Sequence, residues 1–393
     1  MRALRIAMLT YSLRPRGGVV HALEISAALA RRGHEVELFA LGRPGERFFR
    51  APAVPARIVR HVPPEGPFDE RVQAMLAAYR EGLRQPLQAG AFDVVHAQDC
   101  LSANAALELR DAGVIERVIR TVHHVDDFIS PSLIACQDRS ILAPDALLCV
   151  SAPWLERLRA SYGVEAGLVA NGVDLRRYRP PRDPAERGRL RRRLGLGERL
   201  TVLSVGGIEP RKGSLTLLRG FAHLRAAAPE LDPLLVLAGG ATLFDYRDEL
   251  ERFDRLEREL LLDGSVRRLG SIPDAQLERL YRAADLFAFP SVKEGFGLAA
   301  LEALASGLPV VAADIDALRT FLTDGRSALL HRPGDGRALG EALLELARDP
   351  DKRERLRQAG LKVAAAHSWE RAAAAHERAY RGLLERRIAK VDG

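Results

Sequence analysis

The 393-residue sequence has three cysteines, 6% aromatic residues and no long uncharged apolar run. Each shortage narrows the field. Cys100, Cys136 and Cys149 have neither paired nor metal-type spacing, which argues against a disulfide scaffold or a thiolate metal site. They read as reduced, buried thiols of a cytosolic protein. No stretch approaches the ~18 to 20 uncharged apolar residues that a membrane span requires. The opening "MRALRIAMLTYSLRPRGG" lacks a long apolar core and a cleavage-like site, so it is expected to be a first strand rather than a signal peptide. The arginine-rich runs "RLRRRLGLGER" and "LERRIAK" have little aromatic interleaving, and nucleic acid is not expected as a partner. A dinucleotide fingerprint is also missing. "RPRGGVVHAL" has no G-x-G-x-x-G, and no carboxylate closes the second strand candidate.

What is present describes an ordinary globular chain with ample core, 47% apolar and 28% charged. Its net charge of +7 suits an anionic partner, such as a phosphorylated ligand or an acidic membrane surface. Short apolar runs alternate with amphipathic stretches: "LRIAMLT", "EVELFAL", "ARIVRHV", "DVVHAQ", "VIRTVHH", "ALLCVS" and "AGLVAN" in the first half. The pattern breaks at the proline-rich "NGVDLRRYRPPRDP" and resumes with "TVLSVGG", "LLVLAGG", "VRRLGS", "LFAFPS", "PVVAAD" and "SALLHR". Alternation of this kind implies βαβ units and parallel sheets covered on both faces. We therefore expect an α/β protein of two Rossmann-like, doubly wound domains facing across a cleft. Their expected limits are 1–176 and 177–365, with a helix at 366–393 crossing back to the first domain. Ligands should bind at the carboxyl ends of the strands.

One string concentrates the chemistry. "EGFGLAALEALASGLPVVAAD" puts Glu294 and Glu302 around a glycine turn, ahead of a helix that is apolar on every side. A buried, unpaired carboxylate costs several kcal/mol, so each acid needs a partner. Gly295 and Gly297 expose backbone N–H groups at a helix N-terminus, which suits a phosphate. Ionised carboxylates accept hydrogen bonds from adjacent hydroxyls, so one acid suits a ribose and the other a sugar. The competing reading is a helix-capping glutamate plus a buried glutamate paired with an arginine. Arg211 and Lys212 lie in the turn "EPRKGS" and could neutralise a diphosphate, unless they are merely solvated. Gly17 and Gly18 open the first helix and could bring amides to a phosphate. "TVHHVDDF" places His123 and His124 at a strand end. Asp126, Asp127 and Asp99, the last in "HAQDC", are candidates for binding hydroxyls. Metal is not expected, because cations and helix dipole already answer the diphosphate charge.

"EGFGLAALEALASGLPVV" resembles the E-x7-E signature of the family-4 retaining glycosyltransferases of the GT-B fold. "NGVD", "PRKG", "LYRAADLFAFPS" and the N-terminal Gly-Gly loop follow in that family's order, so the resemblance covers nearly the whole chain. It implies a hexosyl transfer from a nucleotide diphosphate sugar, with retention at the anomeric carbon and no cofactor or metal. By that resemblance Glu294 holds donor hexose hydroxyls beside the backbone of Gly295 and Phe296. Gly297 and Leu298 offer amides to the diphosphate, Glu302 holds the ribose, and Lys212 with Arg211 neutralises the leaving group. His123, with His124 as the alternative, meets the donor sugar. Asp99, His124 and Asp126 remain acceptor candidates, the acceptor itself being a sugar, a lipid or a small molecule. Two departures stand out. Gly206-Gly207-Ile208 replaces the usual Gly-Arg-Leu, so Arg211 is the substitute cation, and "ADIDALRTF" lacks the usual Gly-Gly pair and following glutamate. Rival readings are a GT-B-fold sugar-nucleotide epimerase or phosphorylase and a non-catalytic bilobal binding protein. The expected location is cytoplasmic, with room for peripheral contact at an acidic membrane face through the basic residues.

Overall fold

The computed structural model describes residues 2–128, 130–240 and 247–391. The chain forms two compact units, Met1–Gly172 with Trp369–Gly393, and Val173–Ser368. The divisions fall near, not at, the expected residues 176 and 365. Val173 donates its N–H to the His367 carbonyl and bridges to Ser368, which ties the two limits of the second unit together.

The first unit opens with β1 (Arg5–Thr10), α1 (Gly17–Arg31), β2 (Glu35–Gly42) and β3 (Ala56–Arg60). After α2 (Phe68–Gly90) come β4 (Val94–Ala97), α3 (Cys100–Asp111), β5 (Val118–Val122) and α4 (Pro131–Leu142). β6 (Ala146–Cys149), α5 (Ala152–Tyr162) and β7 (Gly167–Leu168) complete its sheet. The strands are parallel throughout, in the order β3-β2-β1-β4-β5-β6-β7. β1, β4 and β5 are almost wholly buried, which is why they read as unbroken apolar runs rather than alternating ones. β7 is shorter than "AGLVAN" suggested. It lies exposed at the sheet edge, and Val169 contributes one N–H to the Cys149 carbonyl before the chain turns away.

In the second unit, α6 (Pro184–Leu194) leads to β8 (Thr201–Val205), α7 (Ser214–Ala227), β9 (Leu234–Ala238) and α8 (Arg247–Glu259). β10 (Val266–Arg268), α9 (Asp274–Ala283), β11 (Leu286–Phe289) and α10 (Leu298–Ala305) follow. Then come β12 (Val310–Ala313), α11 (Asp316–Arg319), β13 (Leu329–His331), α12 (Gly336–Arg348) and α13 (Pro350–Ala366). This sheet is also parallel, in the order β10-β9-β8-β11-β12-β13. Its core packs Phe221, Phe253 and Leu339, all fully buried, against the strands. α14 (Trp369–Val391) belongs to the first unit, where it packs along α1.

Both sheets reverse direction of growth once, between β1 and β4 in the first and between β8 and β11 in the second. Loops leaving adjacent strands at such a point go to opposite faces and leave a crevice at the strand ends. All the sequence candidates except Glu302, which lies inside α10, sit in loops or at helix starts beyond strand ends.

Candidate active site

In the second unit, glycine backbones pack against each other where β8 and β9 end. Gly206 donates its N–H to the Ala238 carbonyl at 2.9 Å, and Gly239 donates to Gly270 at 2.9 Å. A Cβ on Gly239 would lie 2.1 Å from the Gly206 oxygen, and one on Gly207 2.7 Å from the Gly240 oxygen. Only bare backbone fits there. The next turn, Pro210–Lys212, is a single 3-10 turn stopped by Gly213. The Arg211 carbonyl accepts the Val292 N–H at 2.8 Å, which fastens this turn to the loop after β11.

That fastening brings Lys212 and Arg211 to Glu294. The Lys212 ammonium donates to Glu294 Oε1 and lies 5.3 Å from the centre of the Phe289 ring. Arg211 Nη1 is 3.8 Å from the same carboxylate oxygen, while its Nε is 3.0 Å from Glu209 Oε2. The Glu294 side chain is only 10% exposed. Burial pushes its carboxyl up, but Lys212 and Arg211 outweigh that and hold it below the usual carboxylate range. A cavity of about 20 Å³, room for roughly one water, lies beside the Lys212 stem between the ends of β8 and β11.

The glycine turn then delivers α10. Gly297 precedes the helix at φ 104°, and no side chain caps the N-terminus. A Cβ on Gly297 would also meet Leu318 Cδ2 at 2.4 Å. Phe296 is buried with its ring stacked on Phe321 at 5.1 Å, so only its backbone can serve the loop's open side. Leu298 begins the helix and is half-buried. Glu302, just over one turn on, accepts a hydrogen bond from the Tyr281 hydroxyl at 3.0 Å. The helix-capping position is therefore held by a glycine, not by Glu294.

In the first unit, the candidates gather around the ends of β1, β4 and β5. Gly18 is pressed close, since a Cβ there would lie 3.3 Å from His123 Cδ2 and 3.7 Å from the Gln98 carbonyl. Gly17 has open space on that side. The two imidazoles take different partners. His123 Nε2 is 2.9 Å from Gln98 Oε1, and its ring meets His21 edge-on at 4.9 Å. Burial first, then the neighbouring His21 and Arg120, hold His123 well below the ordinary histidine range, so it is neutral. His124 Nε2 lies 3.1 Å from Asp126 Oδ1, and both side chains are about one-third exposed. Asp126 is held from behind: its N–H donates to Gln137 Oε1 at 2.8 Å and its carbonyl accepts from Gln137 Nε2 at 3.1 Å. Asp99 is engaged by backbone on both oxygens, accepting from the Ser102 N–H at 2.7 Å and from the Tyr11 N–H at 2.9 Å. It caps α3. Asp127 follows Asp126 in the same segment.

The profile "Glycosyl transferases group 1" matches residues 186–363, and "Glycosyltransferase Family 4" matches residues 15–177. A D-inositol 3-phosphate glycosyltransferase from Kribbella flavida is 31% identical, with 98% of this chain and 97% of that protein covered. The chain belongs to the family-4, group 1 glycosyltransferases. Two solved structures share its fold. Sucrose-phosphate synthase from Thermosynechococcus elongatus has a TM-score of 0.81 at 22% identity, with 97% of this chain and 99% of that one covered. Anabaena HepE, solved with UDP-glucose, has a TM-score of 0.78 at 19% identity, with 96% and 100% covered. Each domain of this GT-B glycosyltransferase thus carries one cluster at its own strand ends.

Several residues in the clusters of this glycosyltransferase carry little or no signal in its sequence. Glu209, 3% exposed and paired with Arg211, sits beside the motif but carries no pattern of its own. Gln98, which orients His123, looks like any polar residue ending a strand. Gly239-Gly240 was detectable: "LLVLAGG" repeats the strand-Gly-Gly pattern of "TVLSVGG", and paired glycines after adjacent strands signal close backbone approach.

Proposed function

We propose that this glycosyltransferase transfers a hexosyl group from a nucleotide diphosphate sugar to a hydroxyl acceptor with retention and without a metal ion. The reading is carried by one observation: Lys212, Arg211 and Glu294 converge at the switch point of the second sheet, beside an uncapped helix start. A donor diphosphate there would draw Lys212 and Arg211 to itself and meet the α10 amides of Gly297 and Leu298. Glu294, released from Lys212, would accept from hexose hydroxyls next to the backbone of Gly295 and Phe296. Glu302 would accept from the ribose, with Tyr281 holding its other side. Charge accumulates on the diphosphate as the glycosidic bond breaks, so fixed cations there favour the transition state over the bound donor.

Retention by double displacement needs a carboxylate nucleophile. Glu294, paired with two cations, is poorly suited to attack. Same-face displacement suits the cluster better: the departing phosphate oxygen takes the proton of the attacking hydroxyl, and Lys212 and Arg211 balance what charge remains. In the first unit, neutral His123, aimed by Gln98, would meet the donor sugar, and Gly18 would offer backbone at close range. His124 and Asp126 are better placed than Asp99 to receive an acceptor, because both Asp99 oxygens are engaged by backbone.

UDP-glucose is the first donor to try, since a structural relative was solved with it, and D-inositol 3-phosphate is the first acceptor, from the relatives' names. The purified protein should be assayed with UDP-, GDP- and ADP-sugars in chelator, reading the product's anomeric configuration by proton NMR. Transfer with retention that persists in chelator is the expected outcome. An inverted product, dependence on added metal, or epimerisation of the donor would overturn the reading.

A further inference from the structure

Cys100 and Cys136, far apart in sequence, are brought together where α3 packs beside α4. A single side chain organises both. The Asn104 amide donates to the Cys100 carbonyl at 2.8 Å, to the Cys136 carbonyl at 2.7 Å and to Cys136 Sγ at 3.3 Å. Both cysteines are half-buried and neither is in a disulfide, whereas Cys149 is fully buried on the far side of β5 in the sheet order. Arg120, 6% exposed, lies near both thiols, with its Nε lacking a hydrogen-bond partner among the described residues.

From this geometry we infer that Cys100 and Cys136 are a redox-active dithiol, closed to an intramolecular disulfide by small-molecule disulfides such as oxidised glutathione. The order of events follows from the surroundings. Interaction with the Cys100 thiol is the leading cause; against burial and the Asp99 charge, and with help from Arg120 and the Asn104 amide, it holds Cys136 below the usual thiol range. Its partner Cys100 is pushed up, first by that same interaction and then by burial. Cys136 thiolate would attack one sulfur of oxidised glutathione, forming a mixed disulfide and expelling one glutathione thiolate. Cys100 would then lose its proton to solvent and attack Cys136 Sγ, expelling the second. Two protein thiols are oxidised by two electrons, and one glutathione disulfide is reduced to two thiols.

The pair sits between two supports of the first unit's cluster. Cys100 begins the helix that Asp99 caps, and Cys136 adjoins Gln137, which holds the Asp126 backbone. The chemistry does not depend on the proposed function, and its test needs no activity. The full-length native protein should be equilibrated in buffers of rising oxidised-to-reduced glutathione ratio, quenched by alkylation and mapped by mass spectrometry. Cys100 and Cys136 should lose alkylation together and appear as one cross-linked peptide pair, while Cys149 stays alkylatable after unfolding. Cys100→Ser should accumulate a glutathione adduct at Cys136, and Cys136→Ser should accumulate none. The inference is overturned if the wild type keeps both thiols at every ratio or stops at a stable glutathione adduct. An adduct on Cys100 in Cys136→Ser, with none on Cys136 in Cys100→Ser, overturns the order of attack.

Discussion

Lys212 and Glu302 are separable at the level of single side chains. Lys212→Ala removes a cation that matters most as the phosphate leaves, so kcat should fall about 10²- to 10³-fold, the scale seen for lost oxyanion donors. Glu302→Gln keeps the Tyr281 partner but weakens ribose binding, so the donor KM should rise roughly tenfold with kcat little changed. Steady-state kinetics with the best donor distinguishes the two, and wild-type values for both variants would remove these assignments. Gly297→Ala tests the backbone. At φ 104°, with Leu318 Cδ2 2.4 Å from the added carbon, it should cost about 1–3 kcal/mol in urea unfolding. Glu294 and Glu302 were legible in the sequence because one loop and one helix carry both. Gln98 and His21 were not, because only the order of strands in the sheet brings them to His123.

Elements explain why some candidates are better read as scaffolding. Asp99 completes a capping box with Ser102 and also holds the Tyr11 N–H, so Asp99→Ala should lower stability by about 1–2 kcal/mol. If Asp99 serves only this end, acceptor KM in the variant stays near wild type while the urea midpoint drops. A large rise in acceptor KM at unchanged stability would restore it as a ligand. The basic run on α6 divides in the same way. Arg191 is buried, donating to Asp285 at 2.9 Å and to the carbonyls of Gly197, Ala283 and Arg199, whereas Arg189, Arg192 and Arg193 are exposed. Composition counts all four alike. Among the described residues the strands lie where the apolar runs pointed, most plainly at β1, β4, β5, β9, β11 and β12, where near-complete burial leaves its mark directly in the residues. Strand ends are less legible, as β7 illustrates, because an edge strand stops wherever its neighbour ceases to pair.

At the scale of the molecule, four histidines, three fully buried and His123 half-buried, make the first unit sensitive to acid. His123, His21, His376 and His96 form a chain, with successive ring centres 4.9, 5.2 and 5.6 Å apart. Burial is the leading cause that lowers each, His21 to about 4 and His376 to about 3, with His96 and His123 well below the ordinary value. Unfolded, each would titrate near ~6.5. The folded state therefore binds fewer protons, and this stability is complete above ~6.5 and lost as pH falls toward the folded values, by up to ~1.4 kcal/mol per pH unit per ring. Glu186, Glu354 and Glu377, held at about 2, lose their contribution only below the ordinary carboxylate range of ~4.3. Urea unfolding between pH 7 and 5 isolates the histidines and should show a loss of several kcal/mol; a flat profile would count against it. Among the described residues no helix is long and apolar enough to cross a membrane. His376 also shows how the chain closes on itself, since it lies on α14 and is fully buried, as is Tyr380, whose hydroxyl is 2.7 Å from His96. A ribosome makes α14 after the entire second unit, so the strands of the first unit must wait for that helix before their interior is sealed. Nascent chains stalled at Ser368 should be cut readily by protease within residues 1–172, and the second unit should be the first to resist.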